Sequence, residues 1–397
     1  MKRVCIIGLG YIGLPTALLL TEYGLEIIGV DINEKIVKGL NNGVLHIKEP
    51  GLDKKLVTAI KNKSFKAQTE YTNADIFLIT VPTPIKENQE LIKTPNIDFV
   101  IDAINSIAPF YKEGNLIILE STSPVGTSKK SIDLLQQKTS INIEKILFAY
   151  CPERVIPGNT FNELINNSRV IGSNNQQAGE KAKRFYKIFC KGKISLTTPE
   201  TAELVKLTEN SFRDVNIAFA NEMSIICSSV GIDVKELIKL ANHHPRVNIL
   251  NPGCGVGGHC IALDPWFIVS SFPNMSRLIK ISREVNEMKP IWVSEYILRK
   301  ANKLSVNKGK KIKIGFLGVS YKPNTGDLRE SPAIKIVNYI IKKGYEVAVC
   351  EPNIDSHPIF HLSTIDKLLK SCELIVKLVG HNEFKELSNN EAIIDFS

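Results

Sequence analysis

Short runs of consecutive apolar, often β-branched residues recur along the N-terminal part of the chain. Between them lie stretches in which apolar positions return every three or four residues. Val4–Ile7, Glu26–Val30, Asp75–Val81, Leu116–Glu120 and Ile146–Tyr150 read as strands; Gly13 to about Tyr23, Ile97–Ile107 and Lys129–Leu135 read as helices. Strands that are apolar throughout, rather than at alternate positions, predict a parallel sheet covered on both faces. From Pro199 to about Ser229 the pattern is that of one long helix, with Leu204, Leu207, Val215, Ala218 and Phe219 as its apolar face. Further helices are predicted over Val234–Ala241 and from Met275 to about Ala301. The lysine-rich Asn307–Lys311 then marks a boundary before a second alternation. It comprises strand Ile312–Leu317, helix Ala333–Lys342 and strands Tyr345–Cys350, Glu373–Val379 and Ala392–Asp395. The expected fold class is α/β, with two doubly wound parallel-sheet domains joined by a central helical region and divisions at 1–198, 199–306 and 307–397.

Composition adds limits. A chain of 397 residues is too long for one ordinary core, and 43% hydrophobic with 23% charged residues is the balance of a soluble globular protein. The net charge of +9 comes from scattered lysines without an aromatic-interleaved basic patch, so anionic small molecules are expected rather than nucleic acid. A basic start followed by an apolar run imitates a secretory signal, but the glycines and Pro15 within it fit a strand, a turn and a helix. No run of about 18 apolar residues predicts a membrane span. The eight cysteines include no C-x-x-C pair and no metal-ligand spacing to histidine, so no metal is expected and the compartment reads as reducing and cytoplasmic.

The first apolar strand runs directly into Gly8-Leu9-Gly10-Tyr11-Ile12-Gly13, which opens a helix. This is the dinucleotide fingerprint of a Rossmann-like unit: a tight turn at Gly8, close pyrophosphate approach at Gly10 and helix–strand packing at Gly13. The second strand ends on Asp31, whose carboxylate suits a ribose 2′-hydroxyl and would repel a 2′-phosphate. NAD is therefore expected over NADP. Thr83, Thr122 and Glu153 follow the carboxyl ends of later strands, where open α/β sheets bind ligands, although turn chemistry alone would also place such residues there.

Candidate reaction chemistry concentrates further on. Gly253-Cys-Gly-Val-Gly-Gly-His-Cys260 holds a cysteine on a glycine run, with Asp264 four residues later, and Cys260 is the candidate nucleophile. On the long helix Lys206, Asn210 and Asp214 form a four-residue ladder, readable either as a solvated stripe or as a buried polar face with a task. His243, His244 and Arg246 suit an anionic group, and Lys322 and Arg329 offer cations for phosphates in the second α/β unit. Three readings fit these residues: a four-electron dehydrogenase, a two-electron hydroxyacid-type dehydrogenase with an idle Cys260, and a nucleotide-binding regulator without turnover; the cysteine with its polar helix separates the first from the second.

Five segments carry a family resemblance: Gly-Leu-Gly-Tyr-Ile-Gly-Leu-Pro (8–15), Cys-Pro-Glu-Arg-Val-Ile-Pro-Gly (151–158), Lys-Leu-Thr-Glu-Asn-Ser-Phe-Arg-Asp-Val-Asn (206–216), His-Pro-Arg-Val-Asn (244–248) and Gly-Val-Gly-Gly-His-Cys (255–260). With these the chain resembles the UDP-sugar 6-dehydrogenases, nearest their UDP-N-acetyl-D-mannosamine branch. The resemblance implies a two-fold oxidation of the sugar C6 alcohol with two NAD and an enzyme-bound thioester. It implies a nucleophile at Cys260, acid–base and oxyanion roles for Lys206, Asn210 and Asp264, and handling of the hydrolytic water by Thr122 and Glu153. Substrate contacts are implied at Glu153, Arg154, Val155, Lys206, Asn210, Arg213, His243, Arg246, Gly253 and Lys322. Cofactor contacts are implied at Gly8, Gly10, Tyr11, Ile12, Gly13, Asp31, Thr83, Thr122 and Arg329. A homodimer or higher homo-oligomer is expected from the mostly apolar helix over 200–229, and the resemblance implies that Arg246 reaches a neighbouring subunit. The UDP-glucose branch differs at Val256, His259 and Leu263, which weakens UDP-glucose as substrate and leaves the C2 epimer open.

Overall fold

Alternate residues of each apolar run point to opposite faces of a sheet, and here both faces are covered. The structure is a computed structural model that describes residues 3–86, 92–156, 158–258, 260–387 and 393–397. His259, Pro157 and Ala392, read above in a motif or a strand, lie outside the described residues. The strands are β1 (Arg3–Ile7), β2 (Glu26–Val30), β3 (Phe65–Gln68), β4 (Ile76–Ile79), β5 (Leu116–Leu119), β6 (Leu147–Tyr150), β7 (Arg169–Ser173) and β8 (Ile194–Thr197), then β9 (Lys313–Leu317), β10 (Glu346–Cys350), β11 (Leu374–Lys377) and β12 (Ile393–Asp395). The first eight form one sheet in the order β3-β2-β1-β4-β5-β6-β7-β8, and the last four form another in the order β10-β9-β11-β12. Every pairing is parallel except β6 with β7.

In the larger sheet Val4, Ile6, Ile76, Leu78, Leu116, Ile118, Leu147 and Ala149 enter one core. Their neighbours Cys5, Ile7, Phe77, Ile79, Ile117, Leu119, Phe148 and Tyr150 enter the other. The smaller sheet does the same with Ile314, Phe316, Leu374 and Val376 against Leu317 and Ile375. That division is why these strands show no polar alternation.

The α-helices are α1 (Gly13–Thr21), α2 (Glu34–Asn41), α3 (Leu52–Lys61), α4 (Asp98–Ile107), α5 (Thr127–Thr139), α6 (Thr160–Asn166), α7 (Gln176–Tyr186) and α8 (Pro199–Val230). There follow α9 (Val234–Ala241), α10 (Asp264–Ser271), α11 (Arg277–Lys308), α12 (Pro332–Lys342) and α13 (Ile365–Ser371). Among the described residues no helix is long and apolar enough to cross a membrane. The chain divides into two compact units, 1–208 and 209–397, and the division falls within α8.

Three expectations change. The helix expected to end near Ala301 runs to Lys308, into the lysine-rich segment, because no proline or glycine lies between Ala301 and Gly309, which caps it at φ +65°. Strands β3, β7 and β8 and helices α2, α3, α6, α7, α10 and α13 are additional to the elements read above; β8 has no fully buried residue, and β7 starts on an arginine. The third change concerns the long helix. Of its expected apolar face Leu207 and Ala218 are buried but Leu204 and Phe219 are exposed, whereas the polar Lys206, Asn210, Asp214 and Asn221 are buried.

The inversion has a physical cause in the partner helix. Asp214 Oδ1 accepts from Arg283 Nη1 at 2.6 Å and from Asn286 Nδ2 at 2.8 Å. Asn221 Nδ2 donates to Asn286 Oδ1 at 2.9 Å, and Lys289 Nζ donates to the Asn221 carbonyl at 3.4 Å. The polar faces of α8 and α11 thus pair with one another, which offsets much of the desolvation cost that would otherwise turn them to water, although Asp214 Oδ2 and Arg283 Nε make no hydrogen bond. Burial raises the Asp214 carboxyl above its usual range, and the adjacent Arg283 opposes that rise.

Removing one member of a buried ion pair strands the other charge. Arg283→Met is expected to cost about 3–5 kcal/mol in urea unfolding, and adding Asp214→Asn should recover part of the loss. Two variants of equal, near-wild-type stability would show that the pair holds nothing together.

Candidate active site

The N-terminal unit builds its ligand edge from the glycine turn. Gly8 sits at φ +91°, and its N–H donates to the Val30 carbonyl at 2.8 Å, which bends β1 towards the end of β2. A Cβ on Gly13 would stand 1.9 Å from the Gly8 carbonyl oxygen, so only glycine lets α1 start so close to the strand. A Cβ on Gly10 would meet no protein atom within 4 Å, so that side of the turn is open. Helix α1 begins at Ile12 with no side-chain cap, leaving its first N–H groups available to an anion, and Tyr11 is about half exposed beside them. Asp31 lies at the same edge, its Oδ2 accepting from the Leu9 N–H at 3.0 Å and its Oδ1 from the Asn33 N–H at 2.9 Å. Each oxygen keeps a lone pair for a further donor. These residues fit a dinucleotide: an open glycine turn for pyrophosphate and a carboxylate for ribose hydroxyls.

The loops after β4, β5 and β6 are tied together. Thr83 is buried and donates its hydroxyl to the Thr122 carbonyl at 2.6 Å, and Ser121 Oγ donates to the Val81 carbonyl at 2.7 Å. Glu203, which no sequence pattern singled out, accepts from the Gly126 N–H at 2.7 Å, the Ser128 N–H at 2.7 Å and the Ser128 hydroxyl at 2.6 Å, and so caps α5.

Glu153 belongs to a buried cluster. Its Oε1 accepts from the Arg154 N–H at 2.6 Å, and its Oε2 lies 2.9 Å from Arg169 Nη2 as an ion pair without a directed hydrogen bond. Glu120 lies 4.0 Å from Arg169 Nη1 and accepts the Tyr186 hydroxyl at 2.6 Å. Burial pushes the Glu120 carboxyl up to about 7, helped by the charge of Glu153 and opposed by Arg169. Arg154 also donates weakly to the Ser168 carbonyl at 3.4 Å, and Val155 packs against the core. Glu120, Arg169 and Tyr186 were not read as site residues. Only the position of Glu120, beside Ser121 and Thr122 at a strand end, could have drawn attention to it.

In the C-terminal unit, α8 fixes both ends of the glycine run. Asn221 Oδ1 accepts the Gly253 N–H at 2.9 Å, and Asn210 Nδ2 donates to Asp264 Oδ2 at 2.5 Å. These asparagines are eleven residues apart, three helical turns and about 16 Å along one face. The middle of the run is held by the Gly258 N–H on the Arg329 carbonyl at 3.0 Å, and Gly258 at φ +80° leaves room for the Tyr321 ring, which a Cβ would meet at 2.7 Å. Cys260 follows, exposed, and its carbonyl accepts the Asp264 N–H at 2.8 Å as α10 starts. An exposed cysteine is thus displayed on a loop that is anchored at Gly253, Gly258 and Asp264. Asn221 could have been found from the sequence by extending the Lys206–Asn210–Asp214 ladder two turns.

The remaining predicted residues are placed as follows. Lys206 is buried and Arg213 exposed. His243, His244 and Arg246 are exposed, and the Arg246 N–H contacts His244 Nδ1 at 3.3 Å. Lys322 Nζ stands 5.6 Å from the Tyr321 ring centroid. Arg329 is engaged by Asp327, with Nε at 3.0 Å from Oδ1 and Nη2 at 2.6 Å from Oδ2, and these bonds hold the Asp327 carboxyl below its usual range. The ladder itself divides: Asn210 serves the loop, whereas Asp214 is committed to Arg283 and Asn286.

With this geometry established, the chain was compared with known proteins. Residues 2–190, 200–288 and 315–396 match the NAD-binding, central and UDP-binding domain models of the UDP-glucose/GDP-mannose dehydrogenase family. A UDP-N-acetyl-D-mannosamine dehydrogenase of Methanococcus maripaludis is 45% identical over 98% of this chain and 89% of its own length. An NDP-N-acetyl-D-galactosaminuronic acid dehydrogenase of Ralstonia nicotianae is 44% identical over 98% and 93%. Among solved structures, the UDP-D-ManNAc dehydrogenase of Pyrococcus horikoshii superposes with a TM-score of 0.89 at 37% identity, covering 100% of this chain and 95% of that one. The fingerprint turn, the fixed cysteine loop and three domain matches along the chain lead to one conclusion: this protein belongs to the UDP-glucose/GDP-mannose dehydrogenase family.

Proposed function

We propose that the chain oxidises the C6 hydroxyl of a UDP-N-acetylhexosamine, UDP-N-acetyl-D-mannosamine foremost, to the carboxylate through a thioester on Cys260. The single observation that carries this reading is the exposed Cys260 on a loop fixed by Asn210, Asn221 and the Arg329 carbonyl. The named substrates of the Methanococcus and Pyrococcus relatives support the sugar. The Ralstonia relative, at nearly equal identity, keeps other acetamido sugars in view, the N-acetylgluco epimer and UDP-glucose being the alternatives. In this reading 1–198 serves the cofactor, 199–306 the nucleophile and 307–397 the nucleotide of the substrate.

NAD supplies the hydride acceptor, held by Gly8, Gly10, Tyr11, Ile12, Gly13, Asp31, Thr83, Thr122 and Arg329. The chain's residues manage protons and sulfur. The first oxidation needs the hydroxyl proton removed, a role shared among Lys206, Asp264 and water. The Cys260 thiolate then adds to the aldehyde carbon, forming a C–S bond and a tetrahedral centre that can be oxidised to the thioester. Lys206 and Asn210 stabilise the oxyanion, each such donor being worth on the order of 3 kcal/mol. Glu153, with Thr122, takes a proton from the water that cleaves the C–S bond and frees the thiol. Arg154, Val155, Arg213, His243, Gly253 and Lys322 hold the UDP-sugar, and Arg246 does so across a subunit boundary. No disulfide joins cysteines among the described residues, which suits a reducing cytoplasm.

We assign the exposed apolar faces of α8 and α11 to a second copy of the chain. Phe212, Phe219 and Ile226 recur every seven residues on α8, and Leu278, Ile281 and Met288 line α11; all are exposed. A homodimer would bury them as obligate interfaces do.

Three outcomes test these assignments. Cys260→Ala should bind UDP-sugar and NAD yet make no uronic acid, against two NADH per acid in the wild type; acid formation near the wild-type rate would end the thioester reading. A neutral residue at Asp31 should narrow the NAD over NADP preference in kcat/KM by weakening NAD, and equal use of NADP by the wild type would refute the ribose assignment. Light scattering should show a dimer that Phe219→Glu dissociates, whereas a monomeric wild type at working concentration would remove both the interface and the cross-subunit role of Arg246.

A further inference from the structure

Glu153 does not stand alone in its buried site, and its neighbour has no assigned task. The charged and titratable groups packed together there are Glu120 from the end of β5, Cys151 and Glu153 from the segment after β6, Arg169 from β7 and Tyr186 from α7. The side chains of Glu120, Glu153 and Arg169 are 1%, 6% and 3% exposed, so water does little to screen them. Cys151 and Tyr186 stay neutral, because burial raises both thiol and phenol far above neutrality. Two carboxylates therefore share one guanidinium. Arg169 lies closer to Glu153, at 2.9 Å, than to Glu120, at 4.0 Å, and Glu153 also accepts the Arg154 N–H, so of the two it is Glu153 that has the nearer cation.

We propose that Glu120 is a positioning residue that sets the basicity of Glu153 through their shared Arg169 during thioester hydrolysis. The inference rests on the reading of Glu153 as the base of that step. When Glu120 carries its proton, Glu153 has Arg169 to itself, is stabilised as the anion and is a weak base. When Glu120 ionises, a second negative charge faces Glu153 and draws on the same guanidinium, so the affinity of Glu153 for a proton rises. In the chemical step Glu153 accepts one proton from water, the resulting hydroxide oxygen bonds to the acyl carbon, the C–S bond breaks and its electron pair leaves on Cys260 as thiolate. Glu120 exchanges no atom with the substrate. The rate of hydrolysis should consequently increase with pH as Glu120 ionises. The Tyr186 hydroxyl, donating to Glu120 at 2.6 Å, favours the anion and holds that transition at a lower pH than burial alone would give.

The test follows decay of the acyl-enzyme directly, by rapid quench and intact-mass spectrometry between pH 6 and 8.5, with UDP-N-acetyl-D-mannosamine and excess NAD. Glu120→Gln keeps the shape and an acceptor for Tyr186. It should leave the NADH burst intact, flatten the pH dependence of acyl-enzyme decay and slow that decay about three- to ten-fold at pH 8. Tyr186→Phe should keep the pH dependence but move its midpoint upward, a shift that a merely structural tyrosine would not produce. A Glu120→Gln enzyme with wild-type decay and pH slope overturns the proposal. If that variant folds poorly and loses the burst, Tyr186→Phe decides, an unmoved midpoint overturning the proposal and an upward shift sustaining it. Glu153→Gln separates the two levels: unchanged decay there removes the hydrolytic role of Glu153 and this inference with it, whereas slow decay there beside a normal Glu120→Gln removes the inference alone.

Discussion

The helix α8 turns a polar face inward, and the order of the C-terminal unit depends on that face being satisfied. Asn221 uses its amide nitrogen, its amide oxygen and its main-chain carbonyl, binding Asn286, the Gly253 N–H and Lys289. Asp214 accepts from Arg283 and Asn286 on the next turns. An apolar contact between two helices tolerates sliding, because any apolar surface suits any other. A hydrogen-bonded contact has one register, since a shift of one residue leaves several buried groups unpaired. The register of α8 against α11 then determines where Asn210 meets Asp264 and where Asn221 meets Gly253. The polar interface contributes little net free energy compared with apolar burial, but it specifies the position of the loop that carries Cys260.

Two buried carboxylate arrangements in the N-terminal unit show opposite solutions to the same electrostatic problem. Glu203 lies in a pocket without a cation and accepts three hydrogen bonds from the start of α5, where N–H groups would otherwise be unpaired; burial still raises its carboxyl above the usual range. Glu120 and Glu153 instead compete for Arg169. The first arrangement has complete local partners and serves to fix a helix. The second is one charge short, so its protonation state responds to whatever approaches Glu153. An unbalanced buried group is costly to folding, and groups of that kind concentrate where proteins do chemistry, which is what makes this pair a candidate.

Strands buried on both faces and the fingerprint turn were legible because each obeys a local rule: uniform apolarity for the former, glycines at fixed offsets before a helix for the latter. Glu26–Val30 and Val234–Ala241 agree with the structure to the residue. The outward and inward faces of α8 were not legible, because periodicity reports that Phe212, Phe219 and Ile226 share a side but not which side meets the rest of the chain. The partner of Asp214 is Arg283, 69 residues away, and nothing local to either residue announces the pairing. Edge strand β8 and the arginine that begins β7 broke the apolar rule for different reasons, one through exposure and the other through service to Glu153. Among the candidate site residues, those on loops after strands and on the glycine run are legible from position, Glu120 and Asn221 only faintly, from a strand end and from two further turns of the α8 ladder, and Arg169 not until the fold brings it to Glu153.

The cysteines show how the fold sets one exposed thiol apart from its buried counterparts. Burial pushes the thiols of Cys5, Cys151 and Cys254 up to about 12 and that of Cys350 up to about 11, so none of them presents a thiolate at neutral pH. Cys254 and Cys260 are six residues apart on the same glycine run, yet Cys254 is buried, its Sγ directed to the Leu378 carbonyl at 3.5 Å, while Cys260 is exposed. The difference arises from the anchors. Held at Gly253 by Asn221, the run presses Cys254 into the core around Phe316 and Val376. Its passage over Tyr321 at Gly258 then carries the chain back out before α10 begins. Identical side chains on one short segment thus acquire opposite chemistry from the path of the backbone, and the polar face of α8 is what fixes that path.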